Sequence, residues 1–155
     1  MDAIPYFSQW DEDGNQRSAD CGQTCVKMLA ASCDIDVQIN ALTFQTRADG
    51  SASGNDLIKN FNMIGLKATE HINEPLRMGD ICLVEYGLLS DRQNWEYIKL
   101  HWMVYLSRGN KYVTVHDPNF YEARRLEGAR KRYPNAEWDL AYKGRFVRMT
   151  EPVLS

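Results

Sequence analysis

Residues 101–118, HWMVYLSRGNKYVTVHDP, hold two apolar runs separated by a polar interruption. HWMVYLSRG (101–109) and KYVTVHD (111–117) are rich in aromatic and β-branched residues and read as strands, with RGNK as a tight turn between them. Folded into a hairpin centred near Gly109, they bring His101 and Asp117 to matched outer ends as cross-strand neighbours, within hydrogen-bond reach. Period-2 alternation places Asp117 on the face of Val113 and Val115 and turns His116 to the opposite face. His101 is therefore the histidine that Asp117 can orient.

Working outward, DICLVEYG (80–87) and YKGRFVRM (142–149) read as further strands. The first half has a different period. CGQTCVKMLAASC (21–33) is apolar on nearly every side, which describes a buried central helix, with Asp20 placed as its N-cap. NDLIKNFNMIGLK (55–67) sets Leu57, Ile58, Phe61 and Ile64 at helical spacing, and Gly65 supplies a stop. Before both, AIPYFSQWDEDG (3–14) reads as an extended segment ending in an acidic turn. Helices followed by antiparallel strands predict an α+β fold, a helical half packed on a sheet half with a cleft between them.

The bulk properties bound the function. The 155 residues, 44% hydrophobic and 25% charged, suit one globular domain spanning 1–155. A net charge of -3 gives no reason to expect nucleic acid or an anionic membrane as partner. The basic run EARRLEGARKRY (122–133) carries Arg124, Arg125, Arg130, Lys131 and Arg132, but Glu122 and Glu127 interrupt it, and it reads as a solvated helical face. MDAIPYFSQW lacks the basic start and apolar core of a secretory signal, and the longest apolar run, WMVYL (102–106), is too short to span a membrane. The expectation is a cytoplasmic protein whose cysteines at 21, 25, 33 and 82 are reduced thiols.

Those cysteines lack metal-site spacing. The C-x3-C pair matches neither zinc nor thioredoxin-type sequences, and none of His71, His101 and His116 pairs with another at i, i+4. No metal or cofactor is expected. A nucleophilic cysteine fits better. At a helix start, unpaired N–H groups and the positive dipole end favour a thiolate, which singles out Cys21, and Gly22 beside it would let a substrate backbone approach. Cys25, Cys33 and Cys82 are expected as small core residues and His71, in a polar connection, as a surface residue. Such a nucleophile needs a base and a group orienting that base, the roles that His101 and Asp117 can fill. An oxyanion donor is also required; Gln9 and Gln16 are the upstream side chains, and the Cys21 N–H is a second donor. Trp10 and Trp102 flank these positions, as cleft walls or as plain core.

These residues resemble papain-like cysteine peptidases, and within them the bacteriocin-processing (double-glycine leader) peptidases and their relatives. IPYFSQW…DCGQTCVKML is similar to the family's glutamine and Cys-Gly opening, and HWMVYLSRGNKYVTVHDP to its His-strand-turn-strand-Asp-Pro element. GNDLIKNFNMIGLKA and RMGDICLVEYG resemble its second helix and first core strand, so the likeness runs over roughly residues 4 to 120. It implies a papain-like fold with the N-terminal helix packed against an antiparallel sheet, a peptide or protein substrate, and a bacterial or phage setting. It also implies Cys21 as nucleophile, His101 as general base and acid, Asp117 as its orienting group and Gln9 as oxyanion donor. In the leader-processing transporters the glutamine lies nearer the cysteine, as Gln16 does; in stand-alone relatives it lies in a segment like YFSQ, as Gln9 does, and Gln9 is taken. Other readings of the same set are a peptidoglycan-cleaving amidase or endopeptidase of the phage-lysin type, a transglutaminase-like acyl transferase, and a non-catalytic binding module.

Overall fold

Ten consecutive residues of helix α1 (Cys21–Ser32), from Cys21 to Ala30, are buried, as the all-round apolar character of the segment predicts. The computed structural model describes residues 4–11, 21–43, 52–92, 100–120 and 122–150. Asp20, Gln16 and most of the acidic turn at 11–14 lie outside them. After α1 come the short α2 (Ile39–Thr43) and α3 (Gly54–Met63). The strands are β1 (Lys67–Ile72), β2 (Ile81–Glu85), β3 (Leu100–Arg108), β4 (Tyr112–His116), β5 (Lys131–Pro134) and β6 (Tyr142–Thr150), with α4 (Asn135–Ala141) between the last two. They form one antiparallel sheet in the order β1-β6-β2-β3-β4-β5.

Alternation along the central strands divides the core in two. Ile81, Trp102, Val104, Leu106 and Val147 face α1 and α3, where they meet Val26, Met28, Leu57 and Phe61. Cys82, Val84, Met103, Val115 and Phe146 face the other way and pack with Tyr86, Tyr133, Trp138 and Ala141. The α+β architecture predicted from the sequence is the one observed.

Several details differ from expectation. The second helix runs only to Met63, because Gly65 at φ 84 turns the chain, and Lys67 already belongs to β1. It starts on a capping box in which Ser53 Oγ accepts from Asp56 N–H (3.2 Å) and Asp56 Oδ2 accepts from Ser53 N–H (2.9 Å). His71 is not in a connection but on β1, half-buried, stacked on Phe146 and bonded to Thr69 and Glu74. Cys33 lies just past the end of α1 and is partly exposed instead of buried. The basic run is not one helical face. Glu122–Gly128 is a 3-10 helix, and Lys131 and Arg132 belong to β5, an edge strand.

The hairpin exists with another register. Arg108 faces Val113, so the turn is centred between Asn110 and Lys111, and a bulge on β3 between Tyr105 and Ser107 brings Val104 opposite His116. Continued outward, that register sets Asp117 opposite Met103 and His101 opposite Asn119. His101 and Asp117 are thus diagonal neighbours on one face, not directly opposed.

Candidate active site

The diagonal is short enough to bridge. His101 Nε2 and Asp117 Oδ1 lie 2.8 Å apart, both side chains fully buried. Asp117 follows the last residue of β4, and the loop after it folds back so that Asn119 N–H donates to the same Oδ1 (3.0 Å). His116, directed to the opposite face as alternation requires, is committed elsewhere. Its Nε2 contacts the Ile4 carbonyl (2.8 Å) and its Nδ1 accepts from Arg130 N–H (3.1 Å). Burial, with the nearby Arg130 charge, holds its pKa below the usual imidazole value.

Cys21 opens α1 and meets β3 beside His101. Its Sγ accepts from Trp102 N–H at 3.5 Å, while Cys25, one turn on, donates from Sγ to the Trp102 carbonyl at 3.6 Å. The two sulfurs grip one residue of β3 from opposite roles. Burial, then the neighbouring Cys21, Asp117 and Cys82, push the Cys25 thiol well up, so it stays protonated. Cys82 is likewise buried with its thiol pushed well up. Gly22 has a different use from the one expected: a Cβ there would lie 2.8 Å from Leu57 Cδ2 and 3.0 Å from Trp102 Cδ1. It allows α1 to pack closely on β3 and α3, and is not open to a substrate. Trp102 itself is core, with Nε1–H donating to the Ala52 carbonyl (2.9 Å), whereas Trp10 is half-buried with Nε1–H on Asn119 Oδ1 (2.9 Å).

The electrostatics follow from this packing. Burial alone would lower the His101 pKa. The neighbouring Cys21 and Asp117, with the Asp117 hydrogen bond, outweigh it and raise the pKa to about 9. At Asp117 burial alone would raise the pKa, but the His101 charge and hydrogen bond, with Arg92 and Tyr133, hold it well below the usual carboxylate range. With Nε2 engaged by Asp117, Nδ1 is left for the sulfur.

Gln9 is fully buried and is carried to the same place by the N-terminal segment. Gln9 N–H donates to the Pro118 carbonyl (2.9 Å), and Ser8 Oγ bonds the Pro118 and Phe120 carbonyls. Tyr6 Oη donates to the carbonyl of Asp117 itself (3.0 Å). The structure therefore brings Cys21, His101, Asp117 and the segment bearing Gln9 to one end of β3.

Sequence reading missed what surrounds the carboxylate. Asp117 Oδ2 accepts from Tyr86 Oη (2.9 Å) and Tyr133 Oη (2.7 Å), and Arg92, fully buried, lies behind Tyr86. Gly128 is part of the same packing. Its carbonyl accepts from Asp117 N–H, and a Cβ there would overlap the Asp117 carbonyl and the Tyr6 hydroxyl. These residues come from four separate stretches with no shared spacing, so only the fold joins them.

No protein-family model matches the sequence, and no curated protein matches it. Solved structures do. A double-glycine motif protease from an AMS/PCAT transporter, in complex with its leader peptide, aligns at TM-score 0.67 and 17% identity over 94% of this chain and 90% of that one. The peptidase domain of Streptococcus ComA, a bifunctional ABC transporter of a quorum-sensing pathway, aligns at TM-score 0.69 and 14% identity over 94% and 96%. The Streptococcus mutans ComA peptidase domain in complex with a small-molecule inhibitor aligns at 0.59 and 12% over 95% and 99%. At these identities the likeness speaks for architecture: the chain has the papain-like fold of double-glycine peptidase domains.

Proposed function

We propose that the protein is a cysteine peptidase, hydrolysing a peptide bond with Cys21 as nucleophile, His101 as general acid and base, Asp117 as the group orienting His101, and Gln9 as oxyanion donor. The observation that supports this most is the buried 2.8 Å contact of His101 with Asp117, made beside a cysteine on the first turn of a helix. Cys21 thiolate attacks the carbonyl carbon, and the C=O π electrons move onto oxygen, where the Gln9 side chain and the Cys21 N–H receive the charge. Collapse expels the amine, which takes the proton from His101 Nδ1, and leaves a thioester on Cys21. Neutral His101 then takes a proton from water as that water attacks the thioester, and collapse expels the Cys21 thiolate, releasing the acid and restoring the thiolate–imidazolium pair. Asp117 keeps the Nε2 proton in place throughout and so fixes which nitrogen serves Cys21. A peptide substrate is part of the proposal, supported by the fold shared with a protease captured on its leader peptide.

Iodoacetamide at mildly acidic pH reads the thiolate directly. Cys21 is expected to label well ahead of Cys25 and Cys82, whose thiols are buried and pushed up, and ahead of the partly exposed Cys33. Cleavage of a peptide library is expected to fall by roughly 10⁴-fold or more in Cys21→Ala. Equal labelling of the four thiols, or cleavage that survives Cys21→Ala, overturns the assignment. A peptidoglycan digest run alongside reads the cell-wall alternative.

A further inference from the structure

Arg92 is 1% exposed, an uncommon place for an arginine without a task. It ends the 3-10 turn Ser90–Arg92 after β2, and its guanidinium lies between the rings of Tyr86 and Phe120, 5.0 and 4.0 Å from their centroids. Arg92 Nε donates to Tyr86 Oη at 2.5 Å, and Nη2 donates to the Asn119 carbonyl. An arginine has only donors, and a phenol has a single proton. With its oxygen accepting from Arg92, Tyr86 can direct that proton only to its other neighbour, Asp117 Oδ2, 2.9 Å away. The same Tyr86 ring is stacked on the His101 imidazole, centroids 4.1 Å apart.

We infer that Arg92 and Tyr86 form a positioning relay for His101 and Asp117. Arg92 sets the direction of the Tyr86 hydroxyl, the hydroxyl keeps Asp117 an acceptor, and the Tyr86 ring holds the plane of the imidazole. An acceptor-only carboxylate at Oδ1 requires Nε2 of His101 to carry a proton, which leaves Nδ1 for Cys21. The groups that face Asp117 are His101 from β3, Tyr86 and Arg92 from the turns after β2, Tyr133 from β5, Tyr6 from the N-terminal segment, Asn119 N–H from its own loop, and the Cys25 thiol from α1. Among them Arg92 is the positive charge that does not take part in proton transfer. Burial and the Asp117 charge push the Tyr86 hydroxyl well above its usual pKa, so it remains a donor through the working pH range. The effect on thiol reactivity rests on the peptidase reading above; the direction of the hydrogen bonds does not.

Two measurements keep these apart. The pH profile of Cys21 alkylation, compared among the wild type, Tyr86→Phe and Arg92→Met, is expected to show its acidic limb moved to higher pH in both variants. Labelling at pH 5 should slow about tenfold, equivalent to one pKa unit, with little change at pH 8. The downfield imidazole N–H signal of His101, read by NMR, is expected in the wild type and shifted upfield or broadened in both variants. Profiles and His101 signals that superimpose on the wild type in folded variants overturn the relay. If thermal melting shows that Arg92→Met does not fold, Tyr86→Phe, which removes one oxygen from a buried ring, decides alone. A wild type with no acid-side reactivity but a variant-sensitive His101 signal overturns the peptidase reading and leaves the relay standing.

Discussion

Burial and charge pull on His101 in opposite directions, and charge prevails. Its pKa near 9, above the ordinary 6.5, has a definite sign for both stability and activity. The contribution of protonated His101 to folding is full below pH 6.5 and is lost as pH rises through about 9. Asp117 runs the other way, since its pKa is lowered: its contribution is present above the ordinary 3.8 and is lost as pH falls toward its depressed folded value. Under the proposed mechanism, peptide cleavage is expected to decline along a basic limb near pH 9, as the imidazolium proposed to protonate the leaving amine disappears. That limb belongs to the coupled Cys21–His101 pair and not to one residue alone. In Asp117→Asn, kcat is expected to drop by about 10⁴-fold with far less change in KM, because the ring loses its fixed tautomer. A pH-rate profile and steady-state kinetics on the two proteins check both statements. At this scale Cys21, His101 and Asp117 could be singled out as candidates from sequence, since each stands at or beside an element boundary marked by a turn or a period change. Tyr86, Tyr133 and Arg92 could not, because a tyrosine in a strand or an arginine in a polar stretch has the same look whether or not it touches a carboxylate.

Elements were legible in proportion to how much apolar surface their sequences bury. α1 buries ten consecutive residues, α3 buries Leu57 and Phe61 one turn apart, and β2, β3, β4 and β6 each bury apolar side chains, so all were readable. β1, KATEHI, buries Ala68 alone, and β5, KRYP, buries only Tyr133, so neither shows an apolar stripe. α4 begins directly after Pro134 and runs seven residues, too few for a helical period to stand out. The hairpin register escaped for a related reason. The turn is centred between Asn110 and Lys111 instead of at Gly109, and the bulge, an extra residue on β3 that leaves no mark in its composition, takes back one step of register, so that His101 lies opposite Asn119 and diagonal to Asp117. Glycine packing belongs to this scale as well. Gly128→Ala places a methyl group against the Asp117 carbonyl, the Tyr6 hydroxyl and, at 2.9 Å, Phe120 Cδ2. Backbone must shift to admit it, and the expected loss is about 1–3 kcal/mol of stability. Gly87→Ala, where a Cβ meets nothing within 4 Å, is the matched control. Chemical denaturation of both variants, with m-values compared, separates a packing clash from a general loosening.

Across the whole molecule, the sheet separates two cores, and the candidate site lies where β3 begins, touching both. Cys21 reaches that point from the α1 side, while His101 and Asp117 reach it from the side of Tyr86 and Tyr133. The α+β arrangement was legible as a change of period halfway along the chain. The strand order was not, because β6 inserts between β1 and β2 from the far end of the sequence, and local pattern carries no trace of that crossing. The N-terminal segment makes a comparable long return. Hydrogen bonds from Tyr6 Oη, Ser8 Oγ and Gln9 N–H end on the carbonyls of residues 117, 118 and 120, and Asp117 N–H is held in turn by the Gly128 carbonyl. Asp117 and Gln9, proposed as orienting carboxylate and oxyanion donor, therefore share one clasp, although about a hundred residues separate them in the chain. Opening the clasp exposes both at once, so the amides of Gln9 and Asp117 are expected to exchange with deuterium in a single event of common free energy. Tyr6→Phe, which undoes one strand of the clasp, should speed both by the same factor. Native-state hydrogen exchange measures that factor, and unequal acceleration would mean that the molecule can release Gln9 while Asp117 stays in place.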